Sequence, residues 1–106
     1  MKFEKFDRVA CINLASRDDR WDEFTSQIPD DWDLGEVERY EAIFGKYVQR
    51  PDWWNAGGGA WGCYRSHVRI LEECLNRRQT SCLFLEDDAR FCDGFVAKTR
   101  EFLERL

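Results

Sequence analysis

The sequence has no apolar run near the roughly 18 residues that a membrane-crossing helix needs, so a helical span is not expected. No apolar stretch follows Met1-Lys2-Phe3-Glu4-Lys5, and no secretory signal is expected either. Blocks of Lys and Arg are also missing. The 16 basic and 21 acidic residues are interspersed to a net charge of −5, which lacks the electrostatic footprint of a nucleic-acid binder. The five cysteines are odd in number and none forms a Cys-x-x-Cys pair, which argues against a disulfide framework or a zinc ribbon. Cys11, Cys74 and Cys82 lie in apolar surroundings and read as ordinary buried thiols of a reducing, cytoplasmic setting. Repeats, low-complexity segments and long polar tracts are absent, so neither a solenoid nor a disordered chain is indicated.

What is present fits one folded domain over residues 1–106. The hydrophobic fraction of 43% and aromatic fraction of 15% suffice for a single core of a few strands and helices. Separate donor and acceptor lobes of a large enzyme do not fit in this length.

Val9-Ala10-Cys11-Ile12-Asn13-Leu14 is a short, nearly continuous apolar run that predicts a buried parallel strand. Ser16 with Asp19 three residues on suggests a helix start, and Trp21, Phe24 and Ile28 supply one apolar stripe before Pro29 stops it. Val37 to Phe44 reads as a second strand, more polar and therefore suited to an edge. Residues 46–59 read as a loop, with Gly57-Gly58-Gly59 as a flexible linker and Trp53-Trp54 lying over the core or meeting a ligand or partner. Trp61, Tyr64, Val68, Leu71 and Leu75 recur at helical spacing and predict one buried face of a helix reaching about Arg78. Cys82-Leu83-Phe84-Leu85 predicts a second buried strand, and Phe95, Phe102, Leu103 and Leu106 a final helix. This order points to an α/β fold with a three-stranded parallel, Rossmann-like sheet flanked by helices and the first strand in the middle.

The sharpest chemical feature is Glu86-Asp87-Asp88 directly after a strand. Open α/β sheets bind ligands at the carboxyl ends of their strands. Clustered carboxylates there repel one another unless a cation or hydrogen bonds compensate, and a hard divalent ion beside substrate phosphates would do so. Asn13, Arg17 and Arg20 end the first strand and open its helix, where arginines suit phosphate or a base plane; pairing with Asp18 or Asp19 on the surface is the other reading. His67, the single histidine, shares a helix face with Cys63. A Cys-x-x-x-His pair offers two zinc ligands, but no second pair is spaced to complete a site, so a structural histidine flanking the core stripe, or one hydrogen-bonding toward the crevice through Ser66, is the favoured reading. The glycine run lacks the strand before it and the Lys-Ser/Thr after it that a phosphate loop requires.

Ile12-Asn13-Leu14 with Arg17 and Arg20, then Arg39-Tyr40-Glu41-Ala42, Gly62-Cys63-Tyr64-Arg65-Ser66-His67 and Leu85-Glu86-Asp87-Asp88, resemble in this order the N-terminal half of glycosyltransferase family 25. That family includes lipooligosaccharide (lipopolysaccharide) biosynthesis enzymes and collagen galactosyltransferase domains. The resemblance implies a partial GT-A-type fold that binds a UDP-hexose, galactose or glucose, usually with Mn²⁺ (Mg²⁺ as the alternative), for transfer to a glycan or protein acceptor. It implies that Asn13, Leu14, Arg17, Arg20, Ser66, His67 and Asp87 surround the sugar nucleotide and that Glu86 and Asp88 hold the metal. Acceptor-side and catalytic residues have no counterpart here, so the chain is expected to be truncated, or completed by a second chain or another copy of itself. A non-catalytic binding or oligomerisation module is the competing expectation. A phosphoacceptor receiver domain, suggested by the same acidic pair, lacks the chain length for its fold.

Overall fold

The computed structural model describes residues 3–106. Three parallel strands, β1 (Arg8–Asn13), β2 (Val37–Glu41) and β3 (Cys82–Glu86), form one sheet in the order β2-β1-β3. The helices α1 (Asp18–Ser26), α2 (Gly58–Asn76) and α3 (Phe95–Glu104) complete the fold, with a 3-10 turn at Gly45–Tyr47. The partial α/β, Rossmann-like architecture expected from the alternation of elements is present, with the first strand central.

β1 is buried along its whole length because it pairs on both sides and is covered on both faces. Its side chains alternate between two cores, as the twofold period of a strand requires. Ala10 and Ile12 pack with Tyr40 and with Ile70 and Cys74 of α2, while Val9 packs with Phe6, Leu34 and Val96 of α3. β3 follows the same alternation: Cys82 and Phe84 meet the first core, Leu83 and Leu85 the second. Both β2 and β3 are edge strands among the described residues. β2 was expected to be one. β3 was expected to be buried and is instead half-buried, because its outer edge pairs with no described strand.

Several local expectations need correction. α1 starts after Arg17 rather than Ser16, with no side-chain cap. β2 ends at Glu41, since the chain must turn through Gly45 to meet α2. The glycine run is no flexible linker: Gly58 and Gly59 are the first residues of α2. A close backbone crossing is the reason. A Cβ on Gly45 would lie 1.7 Å from the Gly58 carbonyl oxygen, and one on Gly62 would lie 2.5 Å from that of Ile43. Only glycine lets the helix and the turn approach so closely.

That crossing also rotates α2. Its buried face is Gly62, Ser66, Ile70 and Cys74, with Trp61, whereas Tyr64, Leu71 and Leu75 of the expected stripe are exposed at 48%, 49% and 75%. A periodicity count favours large apolar residues, and here a small-residue face won because it permits the tighter approach. In α3, likewise, Val96 is buried and Phe102 is exposed, and the helix ends at Glu104, short of the exposed Leu106. Trp53 and Trp54 pack edge-on against Trp61, and Trp54 stacks on Tyr64 at 5.8 Å. They therefore cover the first turns of α2 rather than the sheet.

Candidate sugar-nucleotide site

The carboxyl ends of β1 and β3 open into a cleft of about 310 Å³. Its walls are Ile12, Leu14 and Arg20, the segment Ala42–Lys46, Gly59 and Cys63 of α2, and Glu86, Asp87 and Asp88. This is where an open parallel sheet places a ligand, because the strand ends stop and the following loops diverge.

Asn13 is the buried junction of the site, 1% exposed. Its amide nitrogen donates to Asp87 Oδ2 at 2.8 Å and to the Arg17 carbonyl at 3.2 Å, and its Oδ1 accepts from Arg39 Nε at 2.7 Å. Every polar atom of a buried amide must find a partner, and these three bonds satisfy Asn13. They also tie the end of β1 to the loop after β3 and to β2.

Asp87 is held between Asn13 and Arg20, whose Nη1 lies 3.4 Å from Oδ1, and its side chain is 12% exposed. Asp88 is exposed and, among the described residues, no hydrogen bond or ion pair holds its carboxylate. Glu86 turns the other way: Cys63 Sγ donates to Glu86 Oε1 at 3.2 Å, and His67 Nε2 lies 4.0 Å from the same oxygen. Burial, then the bond to Glu86, pushes the Cys63 thiol pKa upward. Behind the site, burial pushes Cys11 up to about 12, with the charge of Asp87 as the next cause. The cleft wall thus carries three carboxylates beside Arg20 and Lys46.

The other expected residues lie around this centre at different depths. Leu14 and Arg20 line the cleft. Arg17 does not; it forms a two-point pair with Asp19, at 3.0 and 2.9 Å, which holds the Asp19 pKa down to about 2. Ser66 is fully buried, accepting from the Ile43 backbone N–H at 2.8 Å and donating to the Gly62 carbonyl at 2.7 Å. It fixes the far wall of the cleft rather than facing it. His67 stands beside Glu86 at the margin.

Arg39 enters sequence reasoning only as part of a motif and is given no site role there. Besides Asn13 it reaches the Leu14 and Ala15 carbonyls, pairs with Asp18 at 2.8 Å and lies 5.6 Å from the Trp21 ring centre. It braces the first loop of the site. Its sequence signal was weak, since an arginine on an edge strand ordinarily points to solvent. The 42–46 wall was missed for a related reason, being assigned to strand and loop instead of a turn folded back onto α2.

Residues 6–106 match the family described as Glycosyltransferase family 25 (LPS biosynthesis protein). The chain is 28% identical to procollagen galactosyltransferase 2 of Mus musculus, over 95% of this chain and 19% of that protein. It is 27% identical to procollagen galactosyltransferase 2 of Homo sapiens, over 95% of this chain and 18% of that protein. The chain therefore spans about a fifth of the length of these relatives. No solved structure matches it.

Proposed function

The chain belongs to glycosyltransferase family 25, and from that premise we propose that its carboxyl-end cleft binds the nucleotide-diphosphate part of a UDP-hexose, galactose or glucose, together with Mn²⁺ or Mg²⁺. The observation that carries this reading is the cleft lined jointly by Leu14, Arg20 and Glu86-Asp87-Asp88. Asp87 is already engaged by Asn13 and Arg20, while Asp88 offers an uncommitted hard-oxygen ligand at the cleft wall. That donor set suits a hard divalent ion that takes one or two carboxylates and completes its shell with phosphate oxygens and water. Asp88 would be its first protein ligand and Glu86, which now faces Cys63 and His67, its second on turning back toward the cleft, and such an ion would neutralise charge on the departing diphosphate.

Arg20 supplies the cationic face for a phosphate, being half exposed and only loosely paired at 3.4 Å. Leu14, Ile12 and Ile43 supply the apolar wall. Transfer to a glycan or protein acceptor is the reaction such a donor site would serve, with acceptor groups drawn from further chain, another copy or a second protein. Isothermal titration with UDP and Mn²⁺ tests the reading. Saturable binding is expected, weakened more than about tenfold by Asp88→Ala, as the loss of a metal carboxylate would do. Absence of binding, or equal binding by the variant, removes the donor site.

A second reading, a binding or self-association module, is favoured by exposed Tyr64, Leu71 and Leu75 on α2. Light scattering separates the two, since a strictly monomeric species in solution counts against self-association.

A further inference from the structure

α2 and β3 bring together three side chains of a kind different from the carboxylates of the cleft. Cys63 and His67 stand one helical turn apart on α2, and Glu86 ends β3. Cys63 Sγ, a His67 ring nitrogen and a Glu86 carboxylate oxygen all lie within 4.8 Å of one another. We propose that Cys63, His67 and Glu86 form a site for a borderline divalent cation of the Zn²⁺ class, distinct in donor chemistry from the hard cation proposed beside Asp88.

Geometry supports this first. Zinc bonds of about 2.3 Å to sulfur and about 2.0–2.2 Å to nitrogen and oxygen, at tetrahedral angles, set ligand atoms roughly 3.4–3.6 Å apart. The observed sulfur–oxygen and nitrogen–oxygen separations of 3.2 and 4.0 Å fall on either side of that range. The third pair, sulfur to the imidazole nitrogen, lies within 4.8 Å, so the side chains would draw together around an ion. Two ligands at i and i+4 on a helix plus one from another element is a recurring way to hold zinc. The third ligand lies 19 residues beyond His67 in sequence, where spacing alone gives no sign of it.

Donor chemistry supports it second. A thiolate and an imidazole select zinc-class ions over Mg²⁺ or Mn²⁺, whereas carboxylates with phosphate oxygens select the reverse. At present the Cys63 S–H proton occupies the space between sulfur and Glu86. A cation entering there would take the proton's place, the S–H bond breaking, the sulfur–metal bond forming and the proton leaving to solvent. Cys63 and Glu86 both line the cleft, so a fourth coordination position would open into it, as in zinc sites that keep one position for water or substrate. The site rests on Cys63 and His67 rather than on Asp88 and Arg20, and it shares Glu86 with the sugar-nucleotide reading.

Cobalt(II) titration of the full 106-residue chain, kept reduced with a phosphine, tests the proposal. A near-ultraviolet thiolate-to-cobalt charge-transfer band with visible bands of tetrahedral intensity is expected, and added Zn²⁺ should bleach both. Cys63→Ser and His67→Asn should each weaken cobalt binding by more than about tenfold and remove the thiolate band or the tetrahedral intensity respectively, whereas Cys92→Ser should leave both. Far-UV circular dichroism checks each fold, and Glu86→Gln replaces any variant that loses its helical signal. No thiolate band in the unaltered chain, a band surviving in Cys63→Ser, or unchanged cobalt affinity in His67→Asn overturns the site. Cobalt binding without UDP binding would leave this site standing and remove the donor reading; UDP binding without the cobalt band would do the reverse.

Discussion

The two ends of the sheet both gather charge, and they use it in opposite ways. At the amino end, Arg8 is 6% exposed and pairs with Glu38 at 2.6 and 3.2 Å and with Glu73 at 3.4 Å. Tyr40 donates to Glu73 and accepts from Arg69 at 2.8 Å, and Arg77 lies 3.6 Å from Glu73. Arg8, Glu38, Glu73 and Tyr40 each have a protein partner there, and the bond to Glu38 raises the Arg8 pKa still further. At the carboxyl end, Asn13 and Asp87 are satisfied, but Asp88 is not and Arg20 is only loosely held. A larger cleft, about 440 Å³, lies at the amino end and includes Arg8 and Glu38. Arg8 and Glu38 on its wall are already spent on one another, so size alone is a poor guide to the site. A closed network stabilises a fold, and a network with open valences is free to bind.

Substitutions can break or sharpen that contrast. The largest effect is expected from Arg8→Met, which leaves Glu38 and Glu73 without their shared cation. A loss of about 2–3 kcal/mol in urea unfolding is expected, below the roughly 3–5 of fully buried pairs because the Glu38 side chain is 42% exposed. Gly62→Ala should follow at about 2 kcal/mol, since its Cβ would strike backbone at Ile43 and Gly45 and push the cleft wall off α2. A stable variant with unaltered UDP affinity would show that the crossing is not a rigid part of the site.

Asn13→Ala should cost about 1–2 kcal/mol by stranding Arg39 and Asp87, and it should weaken UDP binding as well, because it loosens the loop after β3. The amino end also predicts an acid response. The hydrogen bond from Tyr40, then the charge of Arg8, holds the Glu73 pKa below its ordinary 4.5. A depressed carboxyl contributes stability that is full above 4.5 and is lost as pH falls through its folded value. Urea midpoints measured downward from pH 5 should therefore drop less steeply in Glu73→Gln. Asp88→Ala is expected to have the smallest effect on stability, within about 0.5 kcal/mol, despite its effect on UDP and Mn²⁺. A large loss of stability in this variant would erase the distinction between the two ends.

Much of this arrangement was legible in the residues. The continuous run through Ile12, the abrupt stop at Glu86-Asp87-Asp88 and the alternation of strand and helix signals mark a parallel sheet whose carboxyl end carries the acids. Other features were not legible. The α2 face was misjudged because Tyr64, Leu71 and Leu75 are larger and more apolar than Gly62 and Ser66, and helical period alone cannot say which stripe a neighbour can approach. Arg17 and Arg20 look equivalent in sequence. One pairs locally with Asp19 and the other reaches Asp87, a difference set by direction along the first turn of α1.

By itself, then, the sequence determined the element types, the central place of β1 and the family, because these follow from hydrophobic period and from motifs read in order. Tertiary structure decided which acids are spent and which remain open, how closely α2 crosses the turn at Gly45, and that Glu86 meets Cys63 and His67. Those outcomes depend on contacts between residues 13 to 74 positions apart, and such contacts exist only once the sheet has brought its strand ends together.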